Sequence, residues 1–284
     1  MNRIKRSWAL AKASFEVLMK DKELMIFPII SAIAMVIVSV VFFIPTLLTN
    51  FLDSIFDTGL PFFGYVVLFL FYLVQYTVVY FFSTALVGAA LIRMRGGDPT
   101  VKDGLNIAFK RLPQILGWSA LSATVGLILN VISDSSEKKG KGIGGIISSI
   151  LGAAWNVVTF LVVPVLAAEG LGPIAALKRS WELLKRSWGE QISGTISIGI
   201  VFGLIGFLGS VLLIGAGVGL SFAMDTWIPA VIFGVLFIGY LLLISLLSST
   251  LNGIFTAAVY AYAAEGEVGL FDEVTIRGAI RQRN

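Results

Sequence analysis

Neither cysteine nor histidine occurs in this chain. Disulfides, thiolate nucleophiles, Cys/His metal sites and imidazole acid–base chemistry are therefore excluded; the missing cysteine says nothing about redox compartment. Charge is scarce too, at 13% of residues, against about a quarter in a soluble domain. So few charges cannot coat a water-facing surface, so most of the surface must face lipid. There is no P-loop, no dinucleotide fingerprint, no nucleophile elbow and no carboxylate pair at catalytic spacing. The expectation is a protein that is not an enzyme and carries no cofactor and no metal. The net charge of +4 is modest, and the basic residues serve topology rather than nucleic acid.

What is present is apolar sequence, 57% of residues, with a mean hydropathy of +0.92. A span needs about 20 apolar residues. Six runs without an acidic or basic residue qualify: Leu24–Thr49, Leu60–Ile92, Leu112–Ser133, Gly142–Ala168, Gln191–Met224 and Thr226–Ala264. They predict an all-α integral membrane fold of six transmembrane helices, one membrane domain over 1–284. The last run holds 39 residues, or roughly 58 Å of helix, so it must tilt, break or leave the membrane, with a bend expected at Asn252-Gly253. Pro164 is expected to kink the fourth span. No secretory signal is expected, because the basic stretch Met1–Lys22 and the apolar run after it are both too long for one.

Lysine and arginine set the orientation. With both ends inside, the inner segments carry 18 of the 21 basic residues, and only Lys138, Lys139 and Lys141 lie outside. The expectation is a multi-pass protein of the cytoplasmic (inner) membrane with both termini cytoplasmic. No acidic or basic side chain falls in the bilayer core, which argues against a proton-coupled pump or voltage sensor.

The chain also repeats itself. Lys5-Arg6-Ser7-Trp8-Ala9-Leu10-Ala11-Lys12-Ala13-Ser14-Phe15 matches Lys178-Arg179-Ser180-Trp181-Glu182-Leu183-Leu184-Lys185-Arg186-Ser187-Trp188 at seven of eleven positions. Leu166-Ala167-Ala168-Glu169-Gly170 resembles Tyr262-Ala263-Ala264-Glu265-Gly266, with Asn156 and Asn252 each 13 residues before the glutamate. Met94-Arg95-Gly96-Gly97 occupies the same place after the second span. These matches predict three tandem parallel repeats, at about 3–97, 98–170 and 171–266, followed by a cytoplasmic tail helix over 267–284. Each repeat is a basic amphipathic surface helix followed by two spans; the middle surface helix is placed at Val101–Leu112.

In the third copy Ile174, Leu177, Trp181, Leu184 and Trp188 fall on one helical stripe, with Gly172-Pro173 starting the helix. Such a helix suits the inner membrane surface. Arg3, Lys5, Arg6, Trp8, Lys12, Lys178, Arg179, Trp181, Lys185, Arg186 and Trp188 are the candidates for anionic lipid; the alternative is that these helices are elbows that orient the spans. Gly199-x-x-x-Gly203 and Gly215-x-x-x-Gly219 are candidates for helix packing within the chain or for a homo-oligomer seam. Gln75, Asn156, Asn252, Ser245 and Ser249 are candidates for inter-helix hydrogen bonds or a polar path.

Arg6-Ser7-Trp8, Leu10-Ala11-Lys12, Asp21-Lys22-Glu23-Leu24 and Phe27-Pro28, with the Ala-Ala-Glu-Gly exits, resemble a prokaryotic family of uncharacterised multi-span membrane proteins. More distantly they resemble the non-catalytic membrane domain of some glycerophosphodiester phosphodiesterases. The resemblance implies the fold and no activity.

The leading functional expectation is a non-enzymatic component that assembles or organises lipid and partners. A channel or passive transporter for small solutes, ions or lipids is the alternative. An intramembrane enzyme would have only interfacial carboxylates such as Glu169 and Glu265, whose equivalent positions suggest a structural role instead.

Overall fold

The computed structural model describes residues 14–49, 61–137, 143–186 and 191–265. The described residues are helical along nearly their whole length, because backbone polar groups in hydrocarbon must be satisfied within their own segment. In chain order they are α1 (14–20), a 3-10 turn (Lys22–Met25), α2 (Ile26–Thr49), α3 (Pro61–Met94), α4 (Val101–Lys110), α5 (Leu112–Glu137), α6 (Ile143–Thr159), α7 (Val162–Ala168), α8 (Pro173–Arg186), α9 (Gln191–Met224) and α10 (Ile228–Tyr260). A π-helical turn, Ala261–Glu265, follows. Among the described residues six stretches are long and apolar enough to cross a membrane: Lys22–Ile44, Gly64–Met94, Leu112–Ile132, Ser148–Ala168, Val201–Met224 and Ile228–Ala264. The chain is therefore read as a multi-pass membrane protein.

Two expected irregularities have instructive outcomes. The fourth span does break at its proline: α6 stops at Thr159 and α7 starts at Val162. Pro164 has no N–H to return to the carbonyl of Phe160, one turn earlier. Ser180 of α8 fills the gap. Its hydroxyl donates to the Val158 carbonyl at 2.7 Å and accepts from the Leu161 N–H at 3.2 Å. At Asn252-Gly253, where a bend was expected, the chain stays helical, and α10 runs unbroken through both. Its irregularity comes later, at the π turn.

The core lies at the charged-loop end. There Leu24, Phe27, Ala85, Leu91, Trp118, Leu166, Leu183 and Ile254 are buried. α3 is central, touching α2, α4, α5, α7 and α10. Small residues allow this: a Cβ on Gly104 would sit 2.7 Å from the Ala85 carbonyl oxygen and 2.5 Å from the Phe27 ring. Away from that end, Val, Ile, Leu and Phe of α2, α9 and α10 are exposed, as lipid-facing helices require. α9 packs chiefly on α10, through a hairpin that turns at Asp225 (φ +46), one of the few residue types that tolerates the left-handed region.

The exits of the second and fourth spans each pass through a left-handed glycine. Gly96 (φ +84) and Gly170 (φ +65) take left-handed conformations that favour glycine. Gly97 donates to Ile92 O and Gly170 to Val165 O, closing each helix end.

Candidate functional site

Polar side chains in a span are costly unless bonded to something, so their partners indicate where a site can lie. α10 carries five hydroxyls and one carboxamide between residues 245 and 256. Thr250 and Thr256 donate back to the carbonyls of Leu246 and Asn252, at 2.8 and 2.6 Å. Ser245 and Ser249 do not. Both are exposed and have no hydrogen bond among the described residues. Asn252 Nδ2 makes a long 3.5 Å bond to Ser248 Oγ, while its Oδ1 is buried with no partner among the described residues.

These unbonded groups open onto a cleft of about 470 Å³ between α2, α3, α7 and α10. α2 contributes Pro28, Ser31, Ala32 and Met35; α3 contributes Val79, Phe82, Ser83 and Leu86. Phe160 and Val163 line it from the break in the fourth span. A second groove of about 720 Å³ lies beside the first along α10, against Gly199, Phe202, Gly203 and Phe207 of α9. Ser245, Ser249 and Asn252 line both. Among the described residues no acidic or basic side chain lines either, so this lining can hydrogen-bond a neutral group but offers it no charge.

Of the five polar candidates, three meet here: Ser245, Ser249 and Asn252. Gln75 lies off the lining, where its Nε2 bonds Ser39 Oγ at 2.7 Å and so pins α3 to α2. Asn156 is exposed on α6, away from the cleft, so the equivalence with Asn252 in sequence is not an equivalence of surroundings. Ser31, Ser83 and Thr256 were not anticipated; isolated hydroxyls in apolar runs were their only signal.

Gly199, Gly203, Gly215 and Gly219, expected to pack helices, have open space where a Cβ would point. Close approach within the hairpin is made by Gly209 against Tyr240 and Gly217 against Phe233 instead. Two G-x-x-x-G pairs sixteen residues apart also lie on nearly opposite faces of a helix with about 100° per residue, so they cannot share one seam.

At the charged-loop end, the α8 face against the bundle is Ala176, Ser180, Leu183 and Leu184. Of the expected apolar stripe, Leu184 shares this face, Leu177 and Trp181 are half-buried and Ile174 is exposed. Ser180 sets this rotation by reaching into the helix break. Trp181 lies under Lys185 Nζ, 5.1 Å from the ring centre, and Lys178 is exposed. Arg179 does not face outward as expected. Its Nε donates to Glu169 at 3.0 and 3.2 Å, holding the guanidinium pKa above its ordinary value, and Glu182 lies 3.8 Å away. Glu169 also accepts from the Tyr260 hydroxyl. Arg93 is likewise bound to Asp21 and Asp98. Arg3, Lys5, Arg6, Trp8, Lys12 and Trp188, the side chain of Arg186, and the tail over 267–284 lie outside the described residues. Among the described residues no cluster of three or more carboxylates gathers to hold a metal.

The chain belongs to the Family of unknown function (DUF6159), whose model matches residues 62–270. No curated protein matches it.

Proposed function

We propose that this chain is a non-enzymatic, multi-pass protein of the cytoplasmic membrane that organises lipid. The observation that carries the reading is the laterally open cleft, where exposed Ser245 and Ser249 and the unpartnered Asn252 Oδ1 interrupt an otherwise apolar wall. Each polar group left unbonded against hydrocarbon costs on the order of 1–3 kcal/mol. An amphiphilic occupant would remove that cost while covering the apolar wall.

The rest of the reading follows the sequence. Both termini are cytoplasmic, on the asymmetry of lysine and arginine. Three parallel repeats underlie the chain; the matching left-handed exits at Gly96 and Gly170 support them. Basic surface helices hold anionic lipid at the inner face. Exposed Lys178 and Lys185 support this for α8, and Arg3, Lys5, Arg6, Trp8 and Lys12 follow by the repeat. Open space beside Gly215 and Gly219 supports a contact with a second copy. Kinship to the membrane domain of some glycerophosphodiester phosphodiesterases remains part of this proposal.

A passive channel is the second reading, favoured by the hydroxyls that line the cleft. It requires the buried layer of Leu86, Leu251 and Ile254 to part.

Native mass spectrometry of the whole protein after gentle extraction tests the first reading. Retained lipid is the expected result. Discrete monomers that carry no lipid, and whose stability is indifferent to added lipid, would overturn it.

A further inference from the structure

We propose that the cleft binds an uncharged lipid whose head carries hydroxyl groups, diacylglycerol being the simplest of the class. This rests on the lipid-organising reading and names the ligand.

The hydrogen-bond inventory points to it. Asn252 Oδ1 can only accept, is buried, and has no partner among the described residues. Ser31, Ser83, Ser245 and Ser249 line the same cleft, and none makes a hydrogen bond among the described residues. One fixed acceptor and four rotatable hydroxyls match a ligand that can both donate and accept. Thr256 is not in this free set, because its hydroxyl is already bonded to the Asn252 carbonyl.

Charge narrows the class. With no lysine, arginine, aspartate or glutamate among the described residues of the lining, a phosphate or ammonium head would be desolvated without a counter-ion, which costs far more than the available hydrogen bonds return. Depth agrees with this. Asn252 precedes Glu265 by 13 residues, roughly 20 Å of helix, well within a hydrocarbon core about 30 Å thick.

Size and access complete the argument. About 470 Å³ falls in the usual range for small-molecule sites, roughly 300–1,000 Å³, and far exceeds the roughly 30 Å³ share of one water. Pro28, Ala32, Met35 and Val79 offer apolar wall to a glycerol backbone and acyl chain. Ala32, Ser245 and Ser249 are exposed, so the head enters sideways from the bilayer while the tails stay in it. Next to the cleft, across Ser245 and Ser249, Gly199 and Gly203 leave the second groove unfilled, and an acyl chain fits along it.

The test is native mass spectrometry of the full chain titrated in parallel with dioctanoylglycerol and with dioctanoyl phosphatidylglycerol. The expected result is a dioctanoylglycerol adduct that binds about tenfold more weakly to Asn252→Leu and several-fold more weakly to Ser249→Ala. Asn156→Leu should leave it unchanged. Ser249→Ala keeps the measurement informative if Asn252→Leu does not fold. Equal binding of both lipids, with Asn252→Leu or Ser249→Ala as good as the native chain, overturns this inference and leaves the lipid-organising reading standing. Absence of any lipid adduct overturns both.

Discussion

The Tyr260 hydroxyl, at the end of α10, donates a 2.9 Å hydrogen bond to Oε1 of Glu169, which lies 91 residues earlier at the end of α7. Arg179 of α8 donates to the same carboxylate. One side chain at the exit of the fourth span thus ties together the helix that follows it and the last span of the chain. Glu169 is a junction of three helices.

Unequal losses are expected from the members of that junction. Tyr260→Phe removes one hydrogen bond and should lower stability by about 1 kcal/mol. Glu169→Ala leaves half-buried Arg179 with only the more distant Glu182 and should cost more, about 2–3 kcal/mol. Thermal unfolding of the purified variants measures both, and equal stability of Glu169→Ala and the native protein would refute the junction.

The start of α4 should respond to acid. Thr100 Oγ1 and the Thr100 N–H both donate to Asp103 Oδ2, at 2.6 and 3.0 Å, while Asp103 N–H donates to Thr100 Oγ1. The side-chain bond from Thr100 is the larger cause and the backbone bond the smaller of a carboxyl pKa below its ordinary value. A depressed folded pKa means that the stabilisation is complete above the ordinary value and fades as pH falls through the lower, folded one. Amide-exchange protection over the first turn of α4 should drop in that window. In Asp103→Asn it should be low already at neutral pH. Protection that is unchanged down to strong acid would count against the capping box.

The glycines should separate into two classes. Gly104→Ala places a methyl against a backbone oxygen and the buried Phe27 ring, so it should destabilise by about 1–3 kcal/mol. Gly215→Ala meets open space and should be neutral or stabilising by up to about 1 kcal/mol from helix propensity. Gly219→Leu should alter the mass of any oligomer measured in lipid nanodiscs if that face meets a second copy; an unchanged mass would dismiss the seam.

Because the native chain has no cysteine, single introduced thiols report topology cleanly. Lys139→Cys should react with a membrane-impermeant maleimide in intact cells, and Lys178→Cys only after permeabilisation. The opposite pattern would invert the proposed orientation.

Liposome efflux separates the two functional readings. Under the lipid reading, solutes and ions should leave no faster than from empty vesicles. Under the channel reading, flux should fall in Asn252→Leu and persist in Asn156→Leu, because only Asn252 lines the cleft.

How much of this was legible beforehand differs from residue to residue. The run Gln191–Met224 became α9 with the same bounds, because hydrocarbon leaves a charge-free stretch of that length no other way to satisfy its backbone. Pro164 announced the break in the fourth span for an equally local reason, a missing donor. Gly96 and Gly170 marked their exits because the turn needs a left-handed residue. What was not legible was rotation about a helix axis. α9 and the outer part of α10 are apolar all round, so no stripe in their sequence says which face meets a neighbour. Only the assembled bundle decided that Gly209 and Gly217, rather than Gly203 and Gly215, approach α10. It likewise placed Asn252 in a cleft and Asn156 on the surface, and turned α8 so that Ser180 rather than Trp181 faces inward. Length, charge and proline act within one helix and can be read there; which side of that helix is buried depends on residues dozens of positions away.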